Sequence, residues 1–195
     1  DNLTFTYEAK SLPYPIDTSY YDNEKHTQAD ALSVIPFMDE MNYEGLSVSG
    51  LSDGYYGLTI GGEFIGRFTA RELERGINMA LLQNTPQYKQ AMKIRQMNEE
   101  RWLKERKMRE FYWVEYNLMR KTGMLWACNE AAVDTLRKYR PHDIFLQWNG
   151  ALWLQYMHKG IREDCVNEQQ DLVNQIYEQN KPIPLQIEIK KFTDL

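Results

Sequence analysis

Three histidines, two cysteines and a Ser52-Asp53-Gly54 step are the features of this 195-residue chain that invite a covalent mechanism. Hydrolysis by serine needs a base within hydrogen-bond reach and donors aimed at the oxyanion. His26 sits in a polar stretch, His142 follows the helix-breaking Pro141, and His158 falls at the end of an apolar helical run. A cation at a helix C-terminus is favoured by the dipole, which accounts for His158 without chemistry. None of the three adjoins a serine in a recognisable turn. Cys128 and Cys165 lack CxxC spacing and a neighbouring histidine pair, so they do not read as zinc ligands. They are either two buried free thiols or, in an oxidising compartment, one disulfide. Asp17, Asp22, Glu24 and Asp30 miss the spacing of a calcium loop and read as solvated loop charges. The glycines from Gly50 to Gly66 serve turns, not a phosphate cradle. No catalytic residue, metal or cofactor is therefore expected within this chain.

Aromatic residues offer a different chemistry. Tyr14, Tyr20, Tyr21, Tyr43, Tyr55 and Tyr56 cluster early in the chain, and flat exposed rings can stack on sugars. Strand alternation, however, buries about every second side chain. The tyrosines are thus either a glycan platform or core. The Trp102–Trp126 aromatic set reads as core or interface.

The elements that must position these residues follow from periodicity. Leu3-Thr4-Phe5-Thr6-Tyr7-Glu8 alternates with period two, and Ala31–Met38 and Leu46–Ser49 are strand-like. Tyr55–Ile60 and Glu63–Phe68 flank Gly61-Gly62, the positive-φ pair a tight hairpin needs. Asp17–Asp30 is polar and turn-rich, a surface loop. The period changes at Thr69, where Thr69-Ala70-Arg71-Glu72 has the pattern of a capping box. Thr85-Pro86 starts a second helix that runs without Pro or Gly to about residue 122, with Gly123 as its stop. Such a helix of ~35 residues is ~50 Å long, and its C-terminal half should be buried more broadly than its charged middle. Asn129 caps a helix to Tyr139, His142–His158 reads as an apolar helix ended by Gly160, and Arg162–Gln179 as the last one. Pro182 and Pro184 prevent helix, after which Leu185–Lys191 alternates like an edge strand. The expected class is α+β. A small antiparallel β-sandwich-like unit (residues 1–69) precedes a helical region (residues 70–195) that contains the long helix, a bundle and the C-terminal strand.

A hydrophobic fraction of 43% argues for a folded protein, and no apolar run approaches the ~18 residues of a membrane helix. The net charge of −5 is uneven: residues 70–140 carry 15 basic and 9 acidic groups. Opposite signs recur there at helical spacing, as in Glu100/Lys104 and Glu105/Arg109, which suits a solvated helix face better than a nucleic-acid surface. The chain opens at Asp1-Asn2-Leu3 with no signal peptide and no initiator Met, as expected of an excised or processed segment.

The stretch from Gly50 to Ala91, GLSDGYYGLTIGGEFIGRFTARELERGINMALLQNTPQYKQA, resembles the segment that follows the catalytic core in a group of bacterial SGNH (GDSL-type) ester hydrolases. Leu12-Pro13-Tyr14-Pro15 is similar to that group's Ala-Leu-Pro-Phe-Pro-like element. Gly76-Ile77-Asn78-Met79-Ala80 and Asn84-Thr85-Pro86-Gln87 resemble its Gly-Val-Asn-Leu-Ala and Asn-Thr-Pro-Gln elements. The family's Gly-Asp-Ser, Gly-x-Asn-Asp and Asp-x-x-His-Pro motifs do not occur. The resemblance therefore implies a non-catalytic C-terminal region that braces an upstream catalytic domain or shapes its cleft, in a periplasmic or extracellular enzyme. There a serine, with a His–Asp pair, would attack an ester, often an acyl group on a glycan. It marks Asn78, Asn84 and Gln90 as candidates for contacting that domain or lining the cleft, with helix capping and turn formation as their other reading. The rival class is a free-standing module that binds glycan or protein.

Overall fold

A computed structural model describes residues 2–19 and 25–192. The chain divides into two units, Asp1–Arg95 with Glu178–Leu195, and Gln96–Tyr177. Periodicity had suggested a border at Thr69; instead the first helices after the hairpin stay with the sheet, and the C-terminal strand returns to it.

The first unit is built on one four-stranded antiparallel sheet. Its strands are β1 (Asn2–Tyr7), β3 (Tyr55–Ile60), β4 (Glu63–Thr69) and β6 (Leu185–Lys191), in the order β1-β6-β3-β4. The hairpin at Gly61-Gly62 forms as expected, with φ of 57° and 83° at the two glycines. Alternation on β3 sends Tyr56, Leu58 and Ile60 inward, and β6 adds Leu185, Ile187 and Ile189 to the same core. Leu58 pairs with Ile189, and Leu3 pairs with Ile189 from the other side. The strand expected at the edge is thus interior, because the two prolines lie before it and leave every donor within it free to pair. Helix α2 (Ala70–Arg75) closes over this core through Ala70 and Leu73. Thr69 and Glu72 form the expected capping box: Glu72 N–H donates to Thr69 Oγ1 at 3.2 Å, and Thr69 N–H donates to Glu72 Oε2 at 2.7 Å.

The second β element is smaller than a sandwich requires. It is a two-residue ladder in which β2 (Gly45–Leu46) pairs with β5 (Ile77–Asn78). Ala31–Met38 is not a strand: Gln28–Ser33 forms a 3-10 turn and Phe37–Glu40 a short helix, α1. Thr27 and Asp30 cap the first of these reciprocally, a local solution that outweighs the β-branched residues after it.

The second unit is helical. α3 (Pro86–Val114) begins in the first unit and continues as a π-helical segment over Glu115–Met119, where Arg120 N–H reaches Glu115 O at 2.8 Å. Gly123 then ends the helix with φ of 75°. α4 (Glu130–Tyr139), α5 (Ile144–Tyr156) and α6 (Lys159–Gln179) follow, with Asn129 and Asp143 as side-chain caps of α4 and α5. Gly160 lies inside the first turn of α6 and does not end α5. The core gathers Met108, Phe111, Val114, Leu118 and Met119 from the long helix around Leu136, Leu146 and Trp153. Beyond the first turns, where Gln87, Tyr88 and Ala91 are buried, burial falls in that C-terminal part and not in the charged middle, as the charge pattern predicts, although Tyr112 turns outward.

Candidate functional site

Asn78 is the hub of the first unit. Its Oδ1 accepts from Glu44 N–H at 2.9 Å and Ala80 N–H at 3.0 Å. Its Nδ2 donates to Met38 O at 2.8 Å and Asn42 O at 3.0 Å. An amide has two donors and an acceptor with two lone pairs, so Asn78 is saturated. The buried Asn42 continues the chain of bonds: it accepts from Tyr14 N–H at 2.8 Å and donates to Tyr14 O at 2.9 Å. Leu12-Pro13-Tyr14-Pro15 is held by this pair, by the Tyr14 ring set edge-on against Phe37, and by Tyr88 Oη donating to Ile16 O at 2.7 Å. Next in the chain, Asp17 accepts from Ser19 and pairs with Arg95 at 2.7 Å. The Ser19 bonds first, and Arg95 after them, lower its carboxyl to about 2.

Asn84 and Gln90 do comparable work. Asn84 Nδ2 donates to Ile65 O at 2.8 Å, just before Thr85, whose hydroxyl accepts from Tyr88 N–H and starts α3. Gln90 Nε2 donates to Gln179 O and Lys181 O at 2.7 and 2.8 Å, satisfying carbonyls left open where α6 stops. The three candidates thus lie in one unit and not in one cluster.

Beside the clamped segment opens a cleft of about 470 Å³, lined by Tyr7, Lys10, Ser11, Tyr14, Tyr43 and Glu44 among others. The clamp that fixes Tyr14 therefore fixes one wall. Burial raises the Glu44 carboxyl above its ordinary value, against the opposing bonds from Tyr7 and Gln87. Burial, then the neighbouring Glu44, pushes the Tyr7 hydroxyl up to about 12. Gln87 Nε2 lies 3.4 Å from Glu44 Oε1, while Glu44 Oε2 and Gln87 Oε1 are buried without a hydrogen-bond partner among the described residues. A carboxyl in that setting favours its neutral form. Sequence reasoning missed Glu44, because nothing in a Tyr-Glu-Gly step marks a carboxylate as buried.

The remaining candidates are scattered. Ser52 Oγ accepts from the exposed Lys191 ammonium at 2.7 Å and lies 3.1 Å from Tyr56 Oη. An exposed ammonium donates to the hydroxyl and does not take its proton. His142 lines a separate cleft of about 420 Å³ in the second unit with Trp113, Tyr139 and Asp143. His158 is drawn to Cys128, with Sγ and Nδ1 3.3 Å apart. Both cysteines are free, but only Cys165 is buried. Among the described residues no group of three or more His, Cys, Asp or Glu is placed to hold a metal; Asp22 and Glu24 lie outside them. Tyr20 and Tyr21 also lie outside them. Of the other tyrosines Tyr56 is core, Tyr55 lies under the Arg67 guanidinium, and Tyr14 and Tyr43 are half-exposed at the cleft.

In the second unit a buried carboxylate organises an aromatic face. Glu115 accepts from Trp153 Nε1 and Trp126 N–H, both at 2.8 Å. The second bond holds Trp126 at φ of 62°, an uncommon conformation for so bulky a residue. Its ring meets those of Phe111, Tyr112 and Tyr116 at centroid distances of 6.3, 6.0 and 5.9 Å. Tyr112, Tyr116 and Trp126 are each about two-fifths exposed, at 39%, 45% and 45%.

Residues 92–181 match the family model described as the diltiazem deacetylase C-terminal helical domain. A gut microbial diltiazem-metabolizing enzyme of known structure is 37% identical, with a TM-score of 0.89. That match covers 98% of this chain and 43% of the enzyme's, so this chain spans less than half the length of its solved relative. No curated protein matches. The two matches point to an esterase-related family, in which this chain is similar to the C-terminal part of a larger enzyme.

Proposed function

We propose that this chain is the non-catalytic C-terminal accessory region of an SGNH-type ester hydrolase, bracing the catalytic domain and shaping the cleft at which acyl esters, those on glycans included, are cleaved. One observation carries the reading: almost the whole chain, both units included, corresponds to under half of a diltiazem-metabolizing enzyme. The nucleophile and its His–Asp pair belong to the part of the protein that this chain does not span. The exposed Tyr112, Tyr116 and Trp126 supply the apolar surface that a bracing role requires. Asn84 holds the loop at the start of α3 and Gln90 the end of α6, which would face the partner domain, while Asn78 holds the cleft wall. The setting of such an enzyme is periplasmic or extracellular.

The test compares p-nitrophenyl acetate hydrolysis by this chain and by the longer protein that contains it. Activity confined to the longer protein is the expected outcome. Saturable turnover by the 195-residue chain, retained through repurification, would overturn the reading. A second reading, a free-standing glycan- or protein-binding module, draws on the half-exposed Tyr14 and Tyr43 at the cleft. Retention of this chain in affinity electrophoresis on a polysaccharide panel would favour it.

A further inference from the structure

Cys128 and His158 are 30 positions apart and meet on the surface of the helical unit, Sγ to Nδ1 at 3.3 Å. The meeting is imposed by three helices. Cys128 directly precedes Asn129, the N-cap of the ten-residue α4, whose side chain accepts from Ala132 N–H. His158 occupies the single step between Met157, which closes α5, and Lys159, which opens α6. Both side chains are exposed to solvent. With its own proton on Nε2, the His158 ring presents Nδ1 as an acceptor to the Sγ–H. Cys128 lies one residue outside the N-cap of α4, at the helix end whose dipole favours negative charge.

Cys165 is the internal contrast. It is buried, approached by the Tyr156 hydroxyl at 3.8 Å and Gln169 Nε2 at 3.7 Å, and directed at Lys104 O at 3.7 Å. A reactive thiol needs exposure, a base and an electropositive surrounding. Cys128 has the exposure and, in His158, the base; Cys165 lacks the exposure.

We propose that Cys128, with His158 as its base, is a modification site that exchanges with low-molecular-weight disulfides. In the step, Cys128 Sγ–H gives its proton to His158 Nδ1 and the sulfur attacks one sulfur of RSSR. The S–S bond of the reagent breaks, its second sulfur leaves as RS⁻, and the imidazolium or solvent protonates it. The sum is Cys–SH plus RSSR giving Cys–S–SR plus RSH, and excess thiol reverses it. This site is independent of the ester chemistry proposed above.

The experiment treats the 195-residue chain with oxidised glutathione and follows intact mass and peptide maps. One adduct, at Cys128 and ahead of any at Cys165, is expected. In a Cys165→Ser background, His158→Ala should slow the reaction with a chromogenic aromatic disulfide by roughly tenfold. Free imidazole should restore part of that rate, a recovery that repair of folding alone would not produce. His158→Gln, closer in size and polarity, guards against a folding defect and should be equally slow. Equal rates with and without His158, slowing that imidazole does not relieve, or first modification at Cys165 would overturn the proposal.

Discussion

Glu44 and Asp17 sit one on each side of the same clamp and respond to pH in opposite senses. Hydrogen bonds and an arginine favour the charged form of Asp17, whereas burial favours the neutral form of Glu44. For Glu44 the folded protein holds a proton that the unfolded chain has already released, over the window between the ordinary glutamate value and the raised one. Stability contributed at Glu44 is therefore present below that window and falls as pH rises through it. Glu44→Gln removes this dependence and leaves an amide able to donate toward the orphaned Gln87 Oε1. Thermal melts should show the variant matching or exceeding the unmodified chain at neutral pH, with the advantage gone in acid. An unchanged pH slope would show that Glu44 is ionised and solvated. The local bond of Asn78 to Ala80 is the capping its motif allowed, yet its other three bonds were not legible: those partners lie 34 to 40 positions back, beyond any local pattern.

At the scale of elements, what local chemistry decides could be read and what partners decide could not. The Gly61-Gly62 hairpin, the Thr69 capping box, the Asn129 cap and the Thr85-Pro86 helix start each depend on a few adjacent residues, and each is where the pattern placed it. The π segment at Glu115–Met119 has no such signature. Nothing in the helical spacing marks Glu115 for its duty of holding two tryptophans. Glu115→Ala would leave Trp153 Nε1 and Trp126 N–H without their acceptor and open a cavity. The expected loss is on the order of 3 kcal/mol or more in denaturant unfolding. Glu115→Gln keeps one acceptor oxygen and should lose clearly less. Near-equal losses for the two variants would mean that shape, not hydrogen bonding, is what Glu115 provides.

For the molecule as a whole, the decisive element is the last one. Pairing β6 with β1 joins residues 185–191 to residues 2–7, so the first unit cannot complete its sheet until nearly the entire chain is present. Such nonlocal pairing carries loop-closure entropy that only the finished contacts repay. It also explains why the expected border at Thr69 and the expected edge position of β6 both gave way. Alternation reveals that a strand exists and which face is apolar; it is silent about which strands lie on either side. Ending the chain at Lys181 would strip Leu185, Ile187 and Ile189 from the core and leave β1 without the strand it pairs with. Each buried aliphatic side chain contributes roughly 1.5–3 kcal/mol, so the total lost is comparable with the 5–15 kcal/mol that keeps a typical domain folded. The truncated chain should lose its β-sheet signal in circular dichroism, and residues 2–80 should become open to protease. A truncated chain that keeps both the signal and the protection would mean that β1 and the β3–β4 hairpin hold the unit without β6, and the C-terminal strand would then be a late addition to a sheet already formed.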